Sequence, residues 1–409
     1  MILSVAWRNI WRNKVRSTVI LVAIVIGIFA GAFTWAFYEG MAQQRVRSAI
    51  ITEVSHIQIH NAKYLKDPDQ KYIINNSNEM LEKLKSDSNV LSVSARILVN
   101  AMVTSAHTGS GVKMVGIDPE SEKKVTNLFS KVIEGHYLDG STSRRKPIVI
   151  SSSLAEKLQV KLRSNVILTF QQMNDSIVKD AFRVVGIYKT TNTNFDDLNV
   201  FVRKSDLASL LRLKDGSVHE IAIRLKDNNA DLASEVNKIK GEFKNYDIQS
   251  WRDLMPEVSL VEDTMDISMI FFLAIILLGL LFGIINTMLM AVLDRTKELG
   301  MLMAVGMNRL RVFMMIILET VMLSLTGGAA GVLIATGISL LTHRSGISLA
   351  AWSKAYERLG YDTMVYPDIS VKIITIVVVM VVITGIIAAI FPAIKALKLK
   401  PAEAIRIDV

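Results

Sequence analysis

Ile267–Leu293 reads ISMIFFLAIILLGLLFGIINTMLMAVL, 27 residues without a charge. A bilayer core about 30 Å thick needs roughly 20 apolar helical residues at about 1.5 Å each. Ser17–Tyr38 (22 residues) and Ile373–Ile394 (22) are equally uncharged, and Val312–Thr342 (31) is interrupted by Glu319 alone. Such length and uniformity mark four membrane spans. A signal peptide ending at Ala30-Gly31-Ala32 fits the first run poorly, because its apolar core would cover only about 7–15 residues.

Composition agrees with spans joined to a polar domain: the 409 residues are 51% hydrophobic yet 21% charged. With no cysteine, a disulfide framework, a thiolate zinc site and a cysteine nucleophile are excluded. The net charge of +9 is unevenly placed. Segments 1–16, 294–311 and 395–409 hold 12 Lys/Arg against 4 Asp/Glu, leaving +1 for the other 360 residues. All three fall on one side if the spans alternate, which predicts cytoplasmic termini. The basicity is then a topology signal, and nucleic acid is not an expected partner.

The expected fold class is an α-helical membrane protein of four spans with a large extracytoplasmic α/β domain between the first two. The boundaries run as an interfacial amphipathic helix 1–16, span one 17–39, the external domain 40–266, span two 267–293 and a cytoplasmic loop 294–311. Span three 312–342, a short external loop 343–372, span four 373–394 and a cytoplasmic tail 395–409 complete the chain. In the first segment Trp7 and Trp11 stand beside a stripe of Arg8, Arg12 and Arg16, as an interfacial helix requires.

Within 40–266, strand-like runs are Val54–Ile59, Ile97–Val103, Val112–Ile117, Ile148–Ile150, Val166–Phe170, Phe182–Ile187, Val200–Val202 and Ile221–Leu225. Helical patterns lie at Ser77–Lys85, Ser152–Leu158, Ser205–Leu211 and Asp231–Phe243. This alternation predicts sheet covered by helices, in one domain or in two with breaks at Gly140–Lys146 and Lys214–Ser217. Apolar periodicity also carries helix beyond span one through Ile50, and from Pro256 into span two. Met41, Val46, Val258, Val261 and Met265 lie on these stalks.

Chemistry-bearing motifs are sparse. No Gly-x4-Gly-Lys-Ser/Thr occurs, so no phosphate-cradling loop of that kind is present. His56 and His60 invite a metal reading, but Ile57 and Ile59 alternate with the polar residues as in a strand. A rise of about 3.3 Å would set the histidines about 13 Å apart, too far for one ion. No metal site is expected. Gly27/Gly31, Gly279/Gly283 and Gly327/Gly331 are Gly-x3-Gly packing candidates. Asn286 and Glu319 are the intramembrane polar candidates, and Glu319 could pair with Arg295, Arg309 or Arg311 or serve a functional role.

Ile285-Asn-Thr-Met-Leu-Met-Ala-Val-Leu-Asp-Arg-Thr-Lys-Glu-Leu-Gly-Met-Leu-Met-Ala-Val-Gly306 resembles the signature of FtsX/MacB-type ABC transporter permeases. The opening Ala6-Trp-Arg-Asn-Ile-Trp-Arg-Asn-Lys14 and the closing Pro392-Ala-Ile-Lys-Ala-Leu-Lys-Leu-Lys-Pro-Ala-Glu-Ala-Ile-Arg406 resemble that family's ends. The resemblance implies a dimer, of two copies or of paralogues, driven by separate P-loop ATPase subunits. Those subunits would use ATP and Mg, with no cofactor and no catalysis on this chain. It also implies Porter- and Sabre-like external subdomains, and mechanotransmission through the stalks. The ATPase-coupling candidates are Asp294, Arg295, Thr296, Lys297, Glu298, Leu299, Gly300, Ala304, Gly306 and Arg309.

Val115-Gly-Ile-Asp-Pro119, Ile148-Val-Ile-Ser-Ser-Ser-Leu-Ala-Glu-Lys-Leu158, Phe182-Arg-Val-Val-Gly-Ile187 and Trp251-Arg-Asp-Leu254 are similar to the lipoprotein-releasing permeases LolC and LolE. That likeness implies a bacterial inner-membrane subunit passing lipoproteins to a periplasmic chaperone, with Met41, Val46, Val258, Val261 and Met265 of the stalks as candidates for guiding the lipid-anchored substrate. The hairpin near Gln171–Lys179 lacks the long proline-bearing hook of LolC-type chains. MacB-like efflux through a periplasmic adaptor and FtsX-like regulation of an external hydrolase are the alternative readings.

Overall fold

A helix satisfies its own peptide groups, which is what an apolar surround demands. The four apolar runs accordingly lie in helices Lys14–Ser48, Pro256–Asp294, Arg309–Ser345 and Val371–Leu397 of a computed structural model. The structure describes residues 14–138, 145–227 and 231–397. The expected interfacial helix, apart from its last residues, and the closing motif from Lys398 onward lie outside them. The shortest of the four helices, at 27 residues, extends about 40 Å, more than a hydrocarbon core needs.

The chain forms two units, a membrane unit and an inserted unit of residues 43–262 with 349–363. In the membrane unit, one apolar face of each helix builds the core. Ile20, Ile24, Ile28 and Trp35 of span one meet Leu273, Leu277, Ile284 and Met288 of span two. Leu323, Val332 and Ala335 of span three and Val377, Val381 and Ala388 of span four complete it. Each set repeats at helical spacing.

In the inserted unit, a π-helical turn Ala49–Val54 ends at Ser55 with φ 70°. The strand expected from Val54 therefore starts later, at Ile57. The strands are β1 (57–61), β2 (90–104), β3 (109–117), β4 (132–135), β5 (146–151), β6 (165–171), β7 (177–188), β8 (199–203), β9 (220–225) and β10 (246–250). They run in the order β10-β1-β9-β2-β3-β8-β5-β7-β4, with β6 joining β2 and β7. The 15-residue β2 pairs β9 along its first half, then β3 and β6 along its second. This one strand makes the sheet continuous, and Lys214–Ser217 is a turn before β9 rather than a domain boundary.

Helices Ser77–Lys85, Ser152–Leu158, Lys204–Leu211 and Leu232–Glu242 cover one face. Met80, Leu154, Leu207 and Val236 lie there against Ile59, Val99, Met114, Val202 and Ile223. Local signals start these helices where they start. Ser151 Oγ accepts from Leu154 N at 3.1 Å, and Asp231 Oδ1 from Ser234 N at 3.3 Å, N-caps that satisfy otherwise orphaned amides. The opposite face carries a smaller cluster of Leu98, Val115, Val149, Tyr188 and Phe201.

Candidate functional site

The loop between spans two and three is a short helix, Thr296–Ala304, followed by a turn in which Gly306 takes φ +101°. A side chain is rarely tolerated at that φ. Asn308 then caps span three, its Oδ1 accepting from Leu310 N at 3.0 Å. Leu299 anchors the loop helix in a small core with Val292, Val312, Met315, Ile316, Ala393 and Ala396, and Gly300 is buried beside it.

Arg295 closes the loop from below. Its Nη1 donates to Glu319 Oε1 at 3.1 Å and to Oε2 at 3.5 Å, with side chains 15% and 10% exposed. Of the three arginines that could meet Glu319, the fold brings Arg295. The bond ties the loop to span three. Asp294, Lys297, Ala304, Gly306 and Arg309 are exposed, and Thr296 and Glu298 partly so. Between them stand Met301, Val305 and Leu310, exposed by 57%, 86% and 64%. Motif reading passed over these three. Their signal was apolar residues between the charged ends of a short loop.

The glycine pairs divide. A Cβ on Gly27 would lie 2.6 Å from Leu280 Cδ1, and one on Gly31 2.6 Å from Leu273 Cδ1. Gly327 packs on Ile24, and a Cβ on Gly331 would lie 2.9 Å from the Val25 carbonyl oxygen. Gly279 and Gly283 have nothing within 4 Å. With Asn286, also exposed, they fall at i, i+4 and i+7 on one side of span two.

The stalk residues do not form one surface either. Val258 is buried with Ala49, Ile50, Trp251 and Met255, and Val46 packs against that cluster. These two are packing residues of the stalk base. Met265 lies against the bundle core, Met41 is half-buried, and Val261 is 40% exposed.

His56 and His60 are both buried. His56 Nδ1 accepts from Leu225 N at 3.3 Å, while His60 Nε2 meets Glu220 Oε2 at 3.2 Å. Among the described residues no group of three or more His, Asp or Glu could hold a metal ion.

Residues 17–239 match the family model of the MacB-like periplasmic core domain, and residues 270–401 that of the FtsX-like permease C-terminal region. The chain belongs to the FtsX/MacB-type permeases of ABC transporters.

This permease is 24% identical over 299 residues to the lipoprotein-releasing system transmembrane protein LolC of Buchnera aphidicola, covering 71% of this chain and 70% of that one. An uncharacterized ABC transporter permease of Methanocaldococcus jannaschii is 30% identical over 240 residues, 56% of each chain. The macrolide export protein MacB of Neisseria gonorrhoeae is 25% identical over 277 residues, 62% of this chain and 40% of that one. The periplasmic region of MacB from Actinobacillus actinomycetemcomitans covers 50% of this chain and 92% of its own at 17% identity, with a TM-score of 0.36. The permease is thus a multi-pass membrane protein whose inserted α/β domain is of the MacB periplasmic type.

Proposed function

We propose that this permease releases lipoproteins from the outer leaflet of a bacterial inner membrane to a periplasmic carrier, driven by separate ABC ATPases. The observation that carries this reading is the LolC relative. Its match takes in 71% of this chain and 70% of LolC, whereas the MacB match takes in 40% of that relative.

The ATPase docks on the loop helix, where exposed Met301, Val305 and Leu310 stand among Asp294, Lys297 and Arg309. Apolar anchors ringed by charge are the usual composition of a docking centre. The excess of Lys/Arg in the loop and at both ends supports a cytoplasmic position for all three. A second permease, identical or paralogous, packs on the open Gly279/Gly283/Asn286 side of span two, where close approach would satisfy the amide and fill the glycine gap. The long helix from Pro256 to Asp294 joins the inserted domain to the loop without a break, a covalent path for ATPase motion.

MacB-like efflux is the second reading, supported by the MacB-like core domain over residues 17–239. Acute depletion in the native cell decides between them. Newly made lipoproteins should accumulate in the inner membrane while susceptibility to macrolides stays unchanged. Normal lipoprotein release with raised susceptibility would replace the proposal with efflux.

A further inference from the structure

The sheet face opposite the main core holds a cleft of about 720 Å³, built wholly from the inserted domain. Strand register sorts its lining into three rows. His60, Glu220 and Arg96 are cross-strand partners on β1, β9 and β2. Leu98, Val115 and Phe201 follow on β2, β3 and β8, and then Asn100, Lys113 and Asn199 on the same strands.

The first row is closed on itself. Arg96 Nη1 donates to Glu220 Oε1 at 2.6 Å, Nη2 to Glu122 Oε1 at 2.6 Å and Nε to Glu122 Oε2 at 3.1 Å. Burial opposes ionisation of Glu220, but the Arg96 charge and the His60 contact bring its carboxyl below the usual range. Glu122 and Glu220 are both occupied by Arg96. The second row is apolar, widened by Phe195 and by Leu198, which is 57% exposed at the rim. In the third row no carboxylate lies within ion-pair distance of Lys113 among the described residues, and two carboxamides flank it.

Asn199 Nδ2 donates one hydrogen to the Phe195 carbonyl at 2.8 Å, and an apolar floor ending in a cation flanked by carboxamides is the recognition chemistry of an acyl chain with an acidic head. We propose that this cleft binds such an amphiphile. The chain lies along Leu98, Val115 and Phe201, and the head sits on Lys113 between Asn100 and Asn199. The head group could come from a free fatty acid or from a membrane phospholipid. The inference is independent of the lipoprotein reading, since no residue of the loop, the spans or the stalks takes part in holding the head or chain.

Full-length permease in nanodiscs, illuminated with a diazirine-bearing 16-carbon fatty acid and mapped by mass spectrometry, tests it. Adducts should appear on Tyr64–Leu65 and within residues 195–201. Lys113→Glu and Leu198→Asp should each reduce them about fivefold relative to adducts in the spans, while Lys113→Arg retains them. Spans serve as the internal standard; Leu198 is exposed and Lys113 half-buried, so the melting of each variant is compared with the parent. Comparable labelling by a diazirine phospholipid supports the site with the membrane as source, and labelling by the acid alone supports it with free fatty acid as source. Adducts confined to the spans, labelling by the same-chain amine equal to that by the acid, or adducts unchanged by Lys113→Glu would overturn the proposal.

Discussion

Arg45 Nη1 donates to Glu53 Oε1 across 2.7 Å, with the two side chains 6% and 4% exposed. Asn192 Nδ2 donates to the other carboxylate oxygen at 3.1 Å. Gly360, at φ +78°, lies over the guanidinium so closely that a Cβ would sit 2.8 Å from Nε. Further bonds join the segments around Asn192 and Gly360: Lys189 to Glu357 at 3.2 Å, and Asn194 Nδ2 to the Arg358 carbonyl at 3.1 Å. Residues 349–363, between spans three and four, are in this way part of the inserted unit, with Arg45 as their seat.

Arg45→Ala should therefore lower the domain's stability by about 3 kcal/mol, because Glu53 stays buried without its partner. Thermal melting reads the loss, and limited proteolysis should open residues 353–361. Glu53→Ala in the same chain should add little further, since the second change removes the stranded charge. Fully additive losses would mean the two side chains act separately.

Docking and pinning at the loop helix can be separated. Val305→Asp alters an 86% exposed side chain, so melting should stay within about 0.5 kcal/mol of the parent while copurification of the ATPase is lost. Arg295→Glu places like charges beside Glu319 and should lower both melting and copurification. If Val305→Asp leaves the ATPase bound, the exposed apolar residues are not its seat.

The glycines predict opposite outcomes for one substitution. Gly331→Leu meets the Val25 carbonyl, which cannot rotate away, and overpacking of this kind costs about 1–3 kcal/mol. Gly279→Leu with Gly283→Leu meets nothing in the single chain. It should melt like the parent yet lose self-association in native mass spectrometry. A dimer that survives would remove this side of span two from the interface.

Two buried groups set opposing pH dependences. Burial is the main cause holding His219 down to about 4. As a neutral ring it donates from Nε2 to the Gln70 carbonyl at 3.0 Å and accepts at Nδ1 from Leu98 N at 3.3 Å. Its contribution is present above about pH 6.5 and is lost as pH falls toward 4, because the unfolded ring binds the proton first. Burial also raises Asp196 to about 6, against the bonds it accepts from Thr190. Between about pH 4 and 6 the folded carboxyl holds the proton more tightly, so this contribution falls as pH rises. His219→Gln should therefore lose more stability relative to the parent at pH 7 than at pH 4.5. Asp196→Asn should compare more favourably with the parent at pH 7 than at pH 4.5. Melting curves at the two pH values check both signs, and parallel shifts would show that neither group titrates in this window.

Local sequence determined a good deal of this molecule. The spans were legible because apolar length alone satisfies a bilayer. Ser77–Lys85 and Ser152–Leu158 were legible to the residue, because apolar period and flanking polar residues coincide there. Most strands were found from β-branched runs, while Tyr246–Ser250 was missed because Tyr-Asp-Ile-Gln-Ser carries little of that pattern and is a strand through pairing with β1. Val132–Gly135 escaped because only two apolar residues, Val132 and Ile133, mark this short, mostly exposed strand at the sheet edge.

The tertiary structure alone decided which distant residues share a face. Arg96 meets Glu220, 124 positions away, because β2 and β9 pair in a register that no local pattern announces. The choice of Arg295 for Glu319 and the seating of Gly360 on Arg45 are of the same kind. Periodicity records how a segment presents its side chains to water or lipid, and it is written within each segment. The identity of the opposing segment depends on chain path and strand register, which only the folded chain specifies.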